Sequence, residues 1–575
     1  MRKQRHRGEI SVYLCLMIAV LLVLILAILR GIHSYEAKSR AYQAAASSID
    51  SLKGDFQPDL FRRYHILAID QTYYGRGEGY MEERLQDYLE VNLNSNQSFY
   101  SYEIGETTLN EVTYLMDDSL ADMKQQIQDY MKVKLPVDLV KGMLEKAEQQ
   151  KENTESFDQL LRESEGTGKK SHFNREEIQL AQSGENDFFW QFRRNTGFMN
   201  YLHATGQEKR KSEVADSVSG DDEEAWDEKI IEQLGGAPIG DPRSFLDSYQ
   251  QVGLLTFLMP DRAASVSRER IDLSAVPSAA YETKGLLWQL PAFSDRMELN
   301  EFEELKTVDR DIQAFNSGKY GMEELYGFAY ALDSFQGMHN DYYAGDDEDH
   351  VFRYELEYIV EGGSSDYDNL TNIAGKLLLM RTLPNLTYAC TDAKMKEEAE
   401  LLATLLVTPA NAEFIEPVTY VILVCWAFGE SFVDVSQLFQ GYRVPVLKNA
   451  SNWQLSLQNL PKLFTLFRPL AAFGGRSVAA IESPTARRLP QKFQENGGAD
   501  ADGMNYTEYL IFLMALMPDP ELKYYRMLDI MELNIRETEP SFKLEHCIDE
   551  FHVQMEVTEQ GNTWYIEGEG DYYLP

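Results

Sequence analysis

Cysteine is scarce in this chain, four in 575 residues, and no two of them form a Cys-x-x-Cys pair. Cys15 falls inside an apolar run, which leaves Cys390, Cys425 and Cys547 widely separated in the rest of the sequence. Three scattered thiols exclude a disulfide framework, so the chain has to fold on its apolar core. Positive charge is also scarce: 54 Lys and Arg stand against 93 Asp and Glu, a formal net charge of -39. That sign excludes nucleic-acid binding, which depends on cationic side chains facing phosphates. It favours basic partners or divalent cations instead.

Complete catalytic motifs are lacking as well. The stretch EGTGKKS (165–171) misses the first glycine of a phosphate loop and precedes no apolar helix. DADG (500–503) lacks the rest of a calcium loop, and the acidic GDDEDH (345–350) reads as a solvated loop. No serine or cysteine nucleophile stands beside a readable base. His546 and His552 share one face of an expected strand, but six residues of strand place them roughly 20 Å apart, too far for one ion. No catalytic, cofactor-binding or metal residue is assigned, no cofactor is expected, and the expectation is a protein that is not an enzyme.

Long hydrophobic runs are absent except for one, and it is the most informative feature present. The twenty residues from Ile10 to Leu29 carry no charge. As a helix rising about 1.5 Å per residue they cover a hydrocarbon core of roughly 30 Å. The tip before them holds Arg2, Lys3, Arg5 and Arg7, which predicts a cytoplasmic N-terminus and an extracellular bulk. Behind Leu29 come Arg30, Gly31, Ile32 and His33 rather than a small-residue cleavage site, so a secretory signal does not fit. A short basic leader ending in glycine is how type IV pilin-like precursors begin, with cleavage here between Gly8 and Glu9. Tyr13 departs from that pattern, because pilins usually carry glutamate at the fifth mature position.

Beyond the span the helix is expected to continue to Leu52 along a seam of Tyr35, Tyr42, Ala45, Ile49 and Leu52, ending at Gly54 and Pro58. YHILAID (64–70), FYSYEI and EVTYLMD read as short strands around an amphipathic helix from Met81 to Val91. Two helices divided by Pro136 follow. From 148 to 240 the composition turns to Glu, Lys, Ser, Gln and Gly, too polar to offset the entropy of ordering, with an aromatic island at 187–202. The expected organisation is therefore a leader and transmembrane helix (1–31), a pilin-like α+β domain with a small mixed sheet (32–147), an acidic disordered linker (148–240) and a larger, helix-rich α+β domain (241–575).

In that last domain a helix from Asp241 is expected to run into a strand ending at Pro260. Phe352, Tyr354, Leu356, Tyr358 and Val360 alternate with mostly polar residues, which predicts a strand closed by Gly362. A helix capped by Ser365 or Asp366 should end before Pro384, and a second should span Asp392 to Leu406. The run VTYVILVCWAF (418–428), opened by Pro417, is too short to cross a bilayer and predicts a buried central helix closing at Gly441. Two more helices lie in NYTEYLIFLMALM and YYRMLDIMELNI, and the last residues read as a hairpin around Gln560-Gly561.

Glu430 and Asp434, at i and i+4, share a helix face. With Glu355, Glu357 and Asp366 they could form a carboxylate cluster of the kind used in glycoside hydrolysis or cation binding. The competing reading is that they bond backbone groups or arginines and fix the core. The segments GEISVYLCLMIAVLLVLILAILRGIHSYEAKSRAYQAA, LFRRYHILAID, DPRSFLDSYQQVGLLTFLMPD with IDLSAVPS, YELEYIVEGGSSDYDNL, CWAFGESFVDVSQLFQGYRVPVLK and NYTEYLIFLMAL with RMLDIMELNI together resemble an uncharacterised family of single-pass membrane proteins from clostridia and related Gram-positive bacteria. The resemblance implies a link with tight-adherence (Tad/Flp-type) pilus genes, partnership with pilin-like or secretion-apparatus subunits, and a shared polar core of Glu355, Glu357, Asp366, Asn369, Trp426, Glu430 and Asp434. The functional expectation is a membrane-anchored accessory protein of such a pilus or adhesion apparatus. A cell-wall glycoside hydrolase and an extracellular ligand-binding protein are the alternatives.

Overall fold

The computed structural model describes residues 5–77, 79–94, 100–134, 137–152, 254–259, 262–282, 301–343, 350–406, 415–457, 460 and 503–572. The described residues form an α+β protein of two compact units. One comprises residues 1–134 and 528–575, the other residues 135–527.

The first unit is built on one helix, α1 (Arg5–Lys53). Its apolar first half is bare: from Ser11 the helix is long and apolar enough to cross a membrane, and none of that window is buried. Its second half covers a sheet. Gly54 ends the helix, its N–H reaching back to the carbonyls of Asp50 and Ser51. Gln57 then caps α2 (Pro58–Tyr64) by accepting from the Leu60 N–H at 2.9 Å. After β1 (Ile69–Asp70) and the turn of Gly75 and Gly77, α3 (Tyr80–Leu93) lays Met81, Leu85, Leu89 and Leu93 against α1.

The sheet is antiparallel throughout, and its central strand comes from the far end of the chain. β3 (Cys547–Glu559) pairs with β1, with β2 (Tyr102–Tyr114) and with β4 (Asn562–Asp571). The β3–β4 hairpin turns on Gln560 and Gly561, both at positive φ (47° and 81°), the two-residue geometry that follows the strand twist. Along β3, Phe551, Val553, Met555 and Val557 face the core and the residues between them face outward.

Several expectations change here. α1 does bury a stripe, but it consists of Ala37, Ala41, Ala44, Ala45, Ile49 and Leu52, whereas Tyr35 and Tyr42 are 78% and 44% exposed. Small side chains win the seam because β4 approaches closely: a Cβ on Gly568 would collide with the Ile49 side chain. FYSYEI and EVTYLMD contribute to one long strand, Tyr102–Tyr114, rather than two, with register shifts on β3 absorbing the irregularity. YHILAID contributes only the two residues of β1. The C-terminal hairpin belongs to the unit containing α1, so the boundary drawn at 241–575 gives way to a unit assembled from both ends of the chain. Strand pairing over more than 400 residues leaves no local trace in a sequence.

The second unit is helical. After α4 (Ala121–Lys134) in the first unit comes α5 (Val137–Glu152), as expected on either side of Pro136. Its residues 148–152 fall in the range assigned to the linker, and Glu148 accepts the Ser317 N–H at 3.2 Å. The rest of that linker and its aromatic island lie outside the described residues, as do 241–253. Then come α6 (Leu254–Leu258), where a strand was expected, α7 (Glu301–Ala314) and α8 (Met322–Ser334). α9 (Glu355–Glu361) replaces the expected strand, and α10 (Asp366–Thr391) runs straight through Pro384. α11 (Ala393–Leu406) and α12 (Ile415–Phe439) complete the central packing, followed by α13 (Tyr506–Ala515). Asn505 and Glu508 bond each other's backbone N–H in a capping box at the start of α13. The last helix, α14 (Leu522–Arg536), is divided between the units.

The alternation at 352–360 misleads because the intervening Glu355 and Glu357 are buried as completely as their apolar neighbours. A segment buried on all sides has no period to read. Pro384 is carried because nearly all of α10 is buried, and tertiary packing there offsets a propensity penalty of roughly 3 kcal/mol. α12 is long and apolar enough to span a membrane, but 61% of its apolar window is buried within the protein, as a core helix requires.

Candidate functional site

α12 turns the shared face of Glu430 and Asp434 into the interior, where both are 0% exposed. Lys448, in the loop after α12, places its Nζ 2.6 Å from Glu430 Oε1 and 2.7 Å from Asp434 Oδ1. Arg381, from the middle of α10, donates to Asp434 Oδ2 from Nε (3.1 Å) and Nη2 (2.9 Å), and from Nη1 to the Tyr509 hydroxyl and the Val446 carbonyl. Asn385 adds a third donor to Asp434 at 3.1 Å. Glu430 also accepts the backbone N–H groups of Gln454 (2.9 Å) and Leu455 (2.7 Å). Two basic and two acidic side chains thus meet in a fully buried cluster, each making several hydrogen bonds.

Electrostatics separates the two acids. Burial pushes the Glu430 carboxyl up, against the pull of Lys448. Burial acts on Asp434 as well, but Lys448 and Arg381 together outweigh it and hold its carboxyl below the ordinary range. Lys448 is in turn held above its usual value, because Asp434 and Glu430 overcome its desolvation. Glycoside hydrolysis needs two carboxyls facing a substrate across an open cleft. These two face a lysine inside a sealed core.

The other expected site residues form a separate group. Glu355 accepts from His350 Nδ1 (2.7 Å) and the Gln336 N–H (2.8 Å). Glu357 accepts from the Met338 N–H and the Tyr506 hydroxyl, both at 3.0 Å. Asp366 takes the N–H groups of Arg353 (3.2 Å) and Tyr354 (3.3 Å), and Asn369 both donates to and accepts from the Gly363 backbone. Among the described residues no hydrogen bond or ion pair joins these side chains to Glu430 or Asp434. Each clamps a loop to a helix by taking backbone donors that burial would otherwise leave unsatisfied. Trp426 bonds the Leu455 carbonyl at 2.6 Å and packs edge-on against Trp453. Gly8 and Glu9 lie within the first turns of α1.

The cations Arg381 and Lys448 were not among the expected site residues. Their signal was present: each is a lone base in an apolar stretch, LLLMRTLPNL and VPVLK. Buried charges of this kind come paired.

Glu357 predicts a pH effect. Burial pushes its carboxyl up to about 7, from an ordinary value of 4.5. The fold therefore holds that proton more tightly than the unfolded chain does. Its contribution is fully present below about 4.5 and is lost as pH rises through about 7, an effect of about 3 kcal/mol. Urea unfolding at pH 5 and pH 8 should show the wild type losing stability over this interval. Glu357→Gln, which cannot ionise, should lose less by that amount; equal losses in the two proteins would refute the assignment.

No curated protein and no solved structure matches the chain. A family of unknown function, DUF5702, matches residues 235–559. That stretch holds both polar clusters and ends on the last residue of β3, so it includes the central strand of the sheet but not β4. The match covers more than half of the sequence, and the chain belongs to the DUF5702 family.

Proposed function

We propose that this is a single-pass membrane protein with its bulk outside the cytoplasm, acting as a non-enzymatic accessory subunit of a pilus-like adhesion apparatus of the tight-adherence type. One observation carries the reading: α1 is a single helix of 49 residues, bare and apolar in its first half and packed on an antiparallel sheet in its second. A plain tether has no need of rigid continuity between span and domain. A subunit that packs by its helix does. The exposed Tyr35 and Tyr42, one heptad apart on the open side of the same helix, offer that packing surface. The basic tip supports the orientation, and the sealed state of Glu430 and Asp434 favours a structural role over hydrolysis.

The test is mass spectrometry of the N-terminus in cells with and without the pilus-type peptidase. A mature chain beginning at Glu9 only in the former is expected. An intact leader in both would remove the pilus assignment and leave an anchored surface protein.

A further inference from the structure

The outward face of the sheet carries several acidic side chains. Register sets Glu569 opposite His552 and Asp571 opposite Glu550 on one side of β3, and Glu111 opposite His552 on the other. Like charges placed across neighbouring strands destabilise a sheet. At one point the side chains converge: one ligand atom each from Glu550, His552 and Glu569 lie within 4.8 Å of one another, with His552 Nε2 3.3 Å from Glu550 Oε1. Two ligands each about 2.0–2.1 Å from a tetrahedral ion stand roughly 3.3 Å apart, so this pair already has the spacing an ion requires.

A second observation lies one residue away. The register steps from Thr113 opposite Glu550 to Tyr114 opposite Ile548, which leaves Asp549 bulged out of the pairing. Asp549 is 1% exposed, and among the described residues neither carboxyl oxygen has a hydrogen-bond partner in another residue. A buried carboxyl group with no such bond thus adjoins Glu550, one of the converging ligands.

We propose that Glu550, His552 and Glu569 form a binding site for a divalent transition-metal ion of the zinc class, tying β3 to β4. The imidazole selects against calcium and magnesium, which prefer all-oxygen sites. Three protein ligands leave a fourth position facing solvent, open to water or to a ligand from a partner. The ligands sit on the paired strands of a hairpin, which fixes their spacing better than a loop would. A sequence search by spacing along one strand misses such a site, since Glu569 is brought to His552 by the hairpin.

The experiment uses the full chain in detergent micelles, without a histidine tag and stripped with chelator, titrated with zinc by calorimetry and by thermal melting. One saturable zinc per chain and a raised melting temperature are expected. His552→Gln and Glu569→Gln should each weaken binding at least about tenfold while melting like the wild type without metal. Glu556→Gln, outward-facing on the same strand but outside the trio, should bind as the wild type does. Absence of saturable zinc binding, equal weakening in all three variants, or full competition by equimolar calcium would overturn the site. If a variant fails to fold, cobalt(II) decides on the wild type alone: visible absorption bands displaced by zinc support the site, and their absence overturns it.

Discussion

Replacing Asp434 by alanine is expected to destabilise the helical unit by about 3–5 kcal/mol, among the largest losses any single substitution here should produce. The side chain bridges Arg381 and Lys448, and all three are 0% exposed. Its removal leaves two buried cations against Glu430 alone. Glu430→Gln should cost less: burial already drives that carboxyl toward neutrality, and Lys448 keeps Asp434. Exchanging the whole set for well-packed apolar residues should cost less than Asp434→Ala, because the penalty arises from orphaned charge more than from loss of the pair. Tryptophan fluorescence during urea unfolding reads the region directly. Trp426 and Trp453 both donate to the Leu455 carbonyl, and the Leu455 N–H donates to Glu430. An unfolding free energy for Asp434→Ala within about 1 kcal/mol of wild type would show that the quartet does not hold the core.

Legibility of this fold follows locality. The long α1, the helices on either side of Pro136, α12 and the Gln560-Gly561 turn announce themselves by composition, period or a residue that tolerates positive φ. α9 does not, because Glu355 and Glu357 are buried by bonds to backbone donors that lie 19 residues upstream. Pro384 marks a helix end only when the surroundings are weak, and those of α10 are not. The candidate site was half legible: the spacing of Glu430 and Asp434 shows a shared face, but not that Arg381, 53 residues from Asp434, and Lys448 would fill it. The four remaining expected residues share burial with that pair, not position. Least legible was the closure of the first unit by β3, which requires the chain to return across hundreds of residues.

That closure gives the second large prediction. A chain ending at His546 lacks β3 and β4, and β3 is the strand on which every other strand of the sheet pairs. Its loss also removes Phe551, Val553, Met555, Val557 and Ile566 from the core shared with α1 and α3. At about 1.5–3 kcal/mol for each buried apolar side chain, these five are worth on the order of 10 kcal/mol, as much as the whole stability of a typical domain. The truncated first unit is therefore expected not to fold at all, despite keeping every residue from α1 to α4. Hydrogen exchange on the full and shortened chains in micelles distinguishes the cases. Amides of α3 should lose their protection, while those of α10 and α12, whose bonds and packing lie within the other unit, should retain it. Phe551→Ala should shift the same amides partway, at a cost of about 3–5 kcal/mol. Unchanged protection of α3 in the shortened chain would mean that residues 32–134 form a domain on their own, and that the hairpin is an addition to it. Loss confined to the first unit would mean that α1, near one end of the sequence, is held to its domain by a strand from the other.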